Sequence, residues 1–143
     1  MCEIFISKSE KETENIAYNL ACEKKIKHGD IVALYGDLGA GKTAFTRGLA
    51  KFFTPESRVT SPTFALVNDY KNILLHFDMY RINSFDDLLS VGFYDYLENL
   101  DGKIIVIEWF EKIGDFFDEN TVRIDIIKLD GESERKIIIE RLN

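Results

Sequence analysis

An eight-residue segment, GDLGAGKT at positions 36–43, constrains the fold more than any other part of this chain. Its first and last glycines, followed by Lys42 and Thr43, satisfy the pattern G-x-x-x-x-G-K-[ST] of a phosphate-binding loop. Glycine lets successive backbone N–H groups turn toward a phosphate, the lysine can reach the β- and γ-oxygens, and the threonine hydroxyl suits Mg²⁺. The segment therefore predicts a nucleotide site.

The residues on either side fit the local structure that such a loop requires. IVALY, residues 31–35, is an apolar run typical of a buried strand, and TAFTRGLAKFF, residues 43–53, has the spacing of a helix. Strand, glycine-rich loop and helix follow one another in the order of the motif. The chain contains no N-K-x-D sequence for reading guanine, which favours adenine.

The length and composition indicate a small globular protein. The 143 residues suit a single domain, predicted here as one P-loop ATPase domain over residues 1–143. A formal net charge of −7 argues against a broad basic surface for nucleic acid. No apolar run approaches a membrane span, no signal-peptide pattern follows Met1, and the two cysteines lack zinc or redox spacing. We therefore expect a cytoplasmic protein without membrane contact.

The remaining patterns predict a sheet with helices packed on it. Tight connections near Lys71 and Asp130 imply antiparallel neighbours, whereas segment 103–109 is apolar on both faces, as parallel strands are. We expect an α/β fold: a P-loop NTPase-like three-layer sandwich whose small mixed sheet has a parallel centre and antiparallel hairpins. The further predicted strands are residues 2–7, 64–70, 72–80, 103–109, 121–129 and 135–142, and the further predicted helices are residues 10–25 and one or two within 84–100.

Two carboxylates are candidates for chemistry beside the loop. Glu108 ends the apolar strand IIVIE, where P-loop nucleotidases place a Mg²⁺-supporting carboxylate, usually an aspartate; the alternative is a strand-end charge that enters solvent. Asp78 lies in HFDMYR, where His76, Asp78 and Tyr80 alternate along one strand face. Asp78 is predicted to position the attacking water or a Mg²⁺-bound water, and the alternative is a surface ion pair with Arg81.

Three further features leave two interpretations each. TSPTF, residues 60–64, suits a nucleotide-sensing switch segment or a simple proline turn. Trp109 is either a core aromatic or a contact in a partner pocket. The arginines that could reach the phosphates, without a pattern that selects one of them, are Arg47, Arg58 and Arg81.

In order and spacing, the segments GDLGAGKT, SPTFALV, HFDMYR, DDLLSVGF and IEW resemble the TsaE family, formerly called YjeE, over essentially the whole chain. The phosphate loop alone is shared by many NTPases, but its combination with SPTF, HFDMYR and IEW is far more specific. The resemblance implies an ATPase of bacterial tRNA threonylcarbamoyladenosine biosynthesis. Its implied cofactors are ATP or ADP and Mg²⁺, with slow hydrolysis.

The resemblance also implies roles for individual residues. Lys42, Asp78 and Glu108 are expected to be catalytic, and Thr43 and Glu108 to hold Mg²⁺. Adenine is expected near residues 7–9 and the last hairpin turn. The nucleotide-binding residues that the resemblance implies are Asp37, Leu38, Gly39, Ala40, Gly41, Lys42, Thr43 and Glu134.

The partners implied by the resemblance are TsaB and TsaD. They transfer a threonylcarbamoyl group from its adenylate to adenosine 37 of tRNAs reading ANN codons; TsaD carries the transfer chemistry, and ATP turnover on TsaE supports repeated cycles. The tRNA is expected to contact this chain only indirectly, through those partners. The alternatives are a P-loop small-molecule kinase, which would need an arginine-rich lid that we do not find, and a nucleotide-sensing binding module without useful turnover.

Overall fold

The computed structural model describes residues 1–37, 39–60, 67–78, 90, 92–98, 100–108 and 120–141. These residues form the following elements, in chain order: β1 (Cys2–Ser7), α1 (Glu10–Cys22), β2 (Ile31–Tyr35), α2 (Lys42–Phe53), β3 (Val67–Tyr70), β4 (Leu74–Asp78), α3 (Phe93–Glu98), β5 (Ile104–Glu108), β6 (Thr121–Lys128) and β7 (Arg135–Arg141). Predicted features that lie outside the described residues are Leu38, Tyr80, Arg81, Trp109, most of segment 60–64 and the start of the helical segment 84–100. Among the described helices, none has the length and apolar character required to cross a membrane.

The strands form one sheet in the order β1-β7-β6-β2-β5-β4-β3. At its centre, β2 pairs in parallel with β5 and β6, and β5 pairs in parallel with β4. The outer pairs are antiparallel: β1 with β7, β7 with β6, and β3 with β4. The predicted mixed sheet, with its parallel centre and antiparallel hairpins, is therefore confirmed.

Helices cover both faces of the sheet because its central strands are apolar on both sides. Leu34 of β2 belongs to the core that lies under α1 and α2. Ile107 of β5 belongs to the opposite core, which includes Phe93 of α3. This is the predicted three-layer arrangement, and it brings the carboxyl ends of β2, β4 and β5 together at one edge of the sheet.

Helices α1 and α2 approach each other closely at Gly48. A Cβ atom added at this glycine would lie 2.2 Å from the carbonyl oxygen of Glu14 and 2.7 Å from the Cβ of Ala17. Beside this contact, Arg47 Nε donates a 2.9 Å hydrogen bond to Glu14 Oε1. Glycine therefore allows the helix contact that holds the start of α2 over the sheet edge.

Replacing Gly48 with alanine should destabilise the protein, although alanine is the better helix former. The added methyl group would meet a backbone oxygen of α1, and overpacking of this kind costs about 1–3 kcal/mol or more. We expect the midpoint of thermal unfolding, followed by circular dichroism, to fall by roughly 5 °C or more. The control is Asn15→Ala, an exposed position on α1; an unchanged midpoint for Gly48→Ala would contradict the close helix contact.

Helix α1 ends earlier than predicted. Its start at Glu10 is as expected from a capping box, since Ser9 Oγ accepts a 3.1 Å hydrogen bond from the Glu12 amide. Its end at Cys22, rather than near residue 25, follows from Lys24, which has a φ of +60°. The next amide, of Lys25, then returns to the Leu20 carbonyl at 2.9 Å, a left-handed termination that glycine usually provides.

Candidate functional site

The glycine-rich segment connects β2 to α2 at the edge where the parallel strands end. Gly41 immediately precedes α2 with a φ of +117°, a left-handed conformation that a side chain would strain. The first turn of α2 contains no acidic residue, and its N-cap makes no side-chain hydrogen bond. The positive end of the helix dipole is therefore directed at the loop, an arrangement that attracts anions such as phosphate.

Lys42, the first residue of α2, places a cation at this same end of the helix. The residue is 6% exposed, and its Nζ donates a hydrogen bond to the carbonyl oxygen of Gly36. Both the burial and the helix dipole disfavour a positive charge here. A phosphate in the loop would offset both costs by accepting a charge-assisted hydrogen bond. The position of Lys42 thus suits the predicted phosphate contact.

Thr43 and Glu108 are 65 residues apart in sequence and meet at the sheet edge. Thr43 Oγ1 donates a 3.3 Å hydrogen bond to Glu108 Oε1. Glu108 is 3% exposed, so the alternative of a strand-end charge that enters solvent is wrong. The reason is that β5 lies between β2 and β4, with α2 beginning directly beside its end.

The chemistry of this pair fits a hard divalent cation. A buried carboxylate needs a compensating charge, yet no lysine or arginine among the described residues forms an ion pair with Glu108. A carboxylate and a hydroxyl oxygen are ligands that Mg²⁺ accepts. No group of three or more His, Cys, Asp or Glu side chains in the described ranges could hold a metal.

Asp78 and Glu108 end neighbouring parallel strands in register, with their Cα atoms paired between β4 and β5. Both lie on the sheet face that α1 and α2 cover, and Asp78 is half-buried. His76, two residues earlier on the same face, is fully buried with its Nε2 3.3 Å from Glu108 Oε1. The structure thus brings Glu108 into contact with Thr43 of the phosphate loop, with Asp78 beside it at the end of the next strand. The alternative ion pair of Asp78 with Arg81 lies outside the described residues.

Arg135, at the start of β7, fastens the loop to the hairpin formed by β6 and β7. Its Nε donates to the Ala40 carbonyl at 2.9 Å and its Nη2 to the Gly39 carbonyl at 3.3 Å, while Nη1 donates to the carbonyls of Glu132 and Glu134 at 3.1 and 2.9 Å. Because this guanidinium holds two loop carbonyls, the peptide groups that contain them keep their orientation. Sequence reasoning missed this residue, because a contact across 95 positions leaves no local pattern.

A cavity of about 200 Å³ lies between the start of α1, the loop and the β6–β7 hairpin. Ser9 lines it from α1, Gly39 and Gly41 from the loop, and Ser133 and Arg135 from the hairpin. The region around residue 9 and the last hairpin turn, which the sequence resemblance associates with adenine, therefore meet at one cavity. Glu134 is exposed in the turn, and its backbone carbonyl bonds Arg135 and the Leu129 amide.

A second cavity, of about 650 Å³, borders Thr43 from the side of the segment after α2. Arg47 and Arg58 both line it. Arg47 is engaged by Glu14 and, at 3.5 Å, by Glu10. Partial burial opposes ionisation of Glu14, but the hydrogen bond from Arg47, together with Lys51, keeps the pKa of this carboxyl below its usual value. Arg47 therefore ties α1 to α2, whereas Arg58 is exposed at the cavity.

The chain is similar to known proteins along most of its length. A family model described as "Threonylcarbamoyl adenosine biosynthesis protein TsaE" matches residues 7–137. Two relatives bear the name "tRNA threonylcarbamoyladenosine biosynthesis protein TsaE". The one from Rickettsia typhi is 41% identical over 86% of this chain and 85% of its own length. The one from Aquifex aeolicus is 36% identical over 95% of this chain and 94% of its own length.

A solved structure also matches the whole fold. The crystal structure of Bacillus subtilis YdiB has a TM-score of 0.76 and 27% identity, covering 100% of this chain and 87% of that one. The family model includes the loop, both carboxylates and Arg135. The similarity therefore extends to every element that forms the candidate site.

Proposed function

Because this chain belongs to the TsaE family, we propose that it is a Mg²⁺-dependent ATPase required for threonylcarbamoylation of adenosine 37 in tRNAs reading ANN codons, acting with TsaB and TsaD. The observation that carries the proposal is the 3.3 Å contact of Thr43 with Glu108, a hydroxyl and a buried carboxylate beside a phosphate loop. The net charge of −7 supports indirect contact with tRNA, through the partners.

In the proposed mechanism, the protein acts mainly by positioning phosphate and water. The N-terminal amides of α2 and the Lys42 ammonium bind the β- and γ-phosphates and orient them. Thr43 Oγ1 and Glu108, directly or through water, would hold Mg²⁺, which neutralises the charge that develops on the phosphate oxygens. Asp78 accepts a hydrogen bond from the attacking water and aligns it. Arg135 keeps the loop in the shape that these contacts need.

The adenine of ATP or ADP is proposed to occupy the 200 Å³ cavity between α1 and the β6–β7 hairpin. Ser9, the N-cap of α1, and Ser133, in the hairpin turn, supply hydroxyls to it, whereas the Thr13 hydroxyl at the cavity wall is buried and bonded to Ser7. Glu134 does not itself line the cavity but lies between Ser133 and Arg135, which do, and its proposed contact with the nucleotide is at the cavity's rim. Polar groups at the rim of a small cavity of this kind orient a heterocyclic base.

The test is ATP hydrolysis by the isolated protein and by its mixture with TsaB and TsaD. We expect slow turnover alone and a several-fold increase with both partners. In a parallel gel-shift assay at physiological salt, the isolated protein should show negligible affinity for tRNA, since its 25 acidic residues outnumber its 18 lysines and arginines and its net charge of −7 repels phosphate. Phosphate transfer to a small acceptor without the partners would indicate a kinase. ATP binding without turnover, both by the isolated protein and by the mixture, would indicate a sensing module.

A further inference from the structure

His76 is a buried polar side chain without a settled hydrogen bond. It is 0% exposed on β4, and within the part of the chain that the structure describes neither Nδ1 nor Nε2 has a hydrogen-bond partner. Leaving a polar group unpaired in a protein interior is costly, so an apolar residue would serve a purely structural purpose better. A buried group of this kind therefore points to a role outside packing.

The nearest polar atom in the described contacts of His76 belongs to the candidate metal site. Its Nε2 lies 3.3 Å from Glu108 Oε1, which is within hydrogen-bond distance although the ring N–H is not aligned with the oxygen. The same oxygen accepts the hydroxyl hydrogen of Thr43 at 3.3 Å. A carboxylate oxygen can accept two hydrogen bonds, so both donors can act together. Alignment of the ring N–H with this oxygen would complete the second bond.

We infer that His76 is a positioning residue, whose imidazole donates Nε2–H to Glu108 Oε1 and fixes that carboxylate toward the proposed metal position beside Thr43. The inference rests on the proposed Mg²⁺–nucleotide function and adds a residue to it. Groups that hydrogen-bond a metal ligand orient it and commonly change metal affinity by about 10- to 100-fold when removed.

The choice of histidine follows from the charge that Glu108 must keep. A lysine or arginine here would neutralise the carboxylate and compete with the cation for it. An apolar side chain would leave the buried carboxylate with the Thr43 hydroxyl as its only described donor. A neutral N–H donor stabilises the carboxylate and leaves its full negative charge for the metal.

The test compares His76→Gln with His76→Met. The two replacements have similar length, but glutamine retains an N–H donor and methionine does not. The readout is ADP affinity measured by calorimetry with and without Mg²⁺, which requires no turnover. We expect His76→Met to reduce the Mg²⁺-dependent gain in affinity roughly tenfold and to leave Mg²⁺-free binding unchanged. His76→Gln should retain most of the gain. Leu74→Val, a core change on the same strand face, should lower stability without changing the Mg²⁺-dependent gain in ADP affinity.

Two further measurements separate this role from packing. In a Glu108→Gln background, His76→Met should cause little additional loss, because the two residues act through one interaction. The nitrogen-15 spectrum of the wild-type ring should show the tautomer protonated at Nε2. An Nδ1-protonated ring, or equal Mg²⁺-dependent gains for His76→Met and wild type, would overturn the inference about His76 and leave the proposed metal site standing. If wild-type ADP affinity does not respond to Mg²⁺, the proposed metal site fails and this inference fails with it.

Discussion

Replacing Lys42 with alanine should abolish ATP hydrolysis and weaken ATP binding roughly 10- to 100-fold, with the fold preserved. A hydrogen bond to a charged group contributes about 1.5–3 kcal/mol, and about 1.4 kcal/mol corresponds to tenfold in affinity. The loss in turnover should be larger than the loss in binding, because the ammonium also stabilises charge that develops on the transferred phosphate. Calorimetric titration of ATP and a phosphate-release assay measure the two effects.

Stability distinguishes this loss from misfolding. Lys42 is a buried cation at the positive end of α2, so removing this unfavourable charge should offset the loss of its hydrogen bond to the Gly36 carbonyl in the free energy of unfolding. The thermal midpoints of Lys42→Ala and wild type should therefore be similar. The control is Lys27→Ala, since Lys27 is exposed before β2, at the edge of the sheet opposite the loop. Equal ATP affinity of Lys42→Ala and wild type would refute the phosphate-loop assignment.

The parts of this fold that the sequence predicts well are those determined by residues within the same short segment. The loop at 36–43 requires glycine where Gly41 adopts a φ of +117°, and such a requirement is visible in the sequence itself. Strand β5 is apolar at successive positions because it has neighbours on both edges and cores on both faces. By contrast, α1 ends because Lys24 adopts a left-handed conformation, and a lysine does not predict such a conformation.

The site depends more on contacts between distant segments, and these were the hardest to predict. The burial of Glu108 is caused by β4 and α2, so its own strand could not decide between solvent and a site. Arg135 reaches Gly39 and Ala40 because β6 lies next to β2 and brings the hairpin beside the loop. Strand order is a property of the whole chain, and no short pattern encodes it.

The two carboxylates at the ends of β4 and β5 should respond differently to neutralisation. Glu108→Gln keeps the size of the side chain and an oxygen for Thr43 but loses the charge that a hard cation prefers. The Mg²⁺ concentration for half-maximal hydrolysis should rise roughly tenfold, with partial rescue by excess metal. Asp78→Asn should instead lower turnover about 100-fold, the scale of a lost proton-accepting or water-positioning group. Its ATP affinity and Mg²⁺ requirement should change little.

A Mg²⁺ titration of hydrolysis on both variants, with ATP binding measured alongside, distinguishes these roles. Glu140→Gln is a matched control, since Glu140 is an exposed carboxylate on β7 of the same sheet. The separation of roles rests on the contact of Glu108 with Thr43, because a carboxylate that accepts a hydrogen bond from the hydroxyl proposed to bind Mg²⁺ is close enough to bind the same cation. Asp78 is paired in register with Glu108 but lies on β4, which is farther than β5 from β2 and the phosphate loop. If both variants shift the Mg²⁺ dependence equally, the proposed separation of roles is wrong and both carboxylates bind one metal.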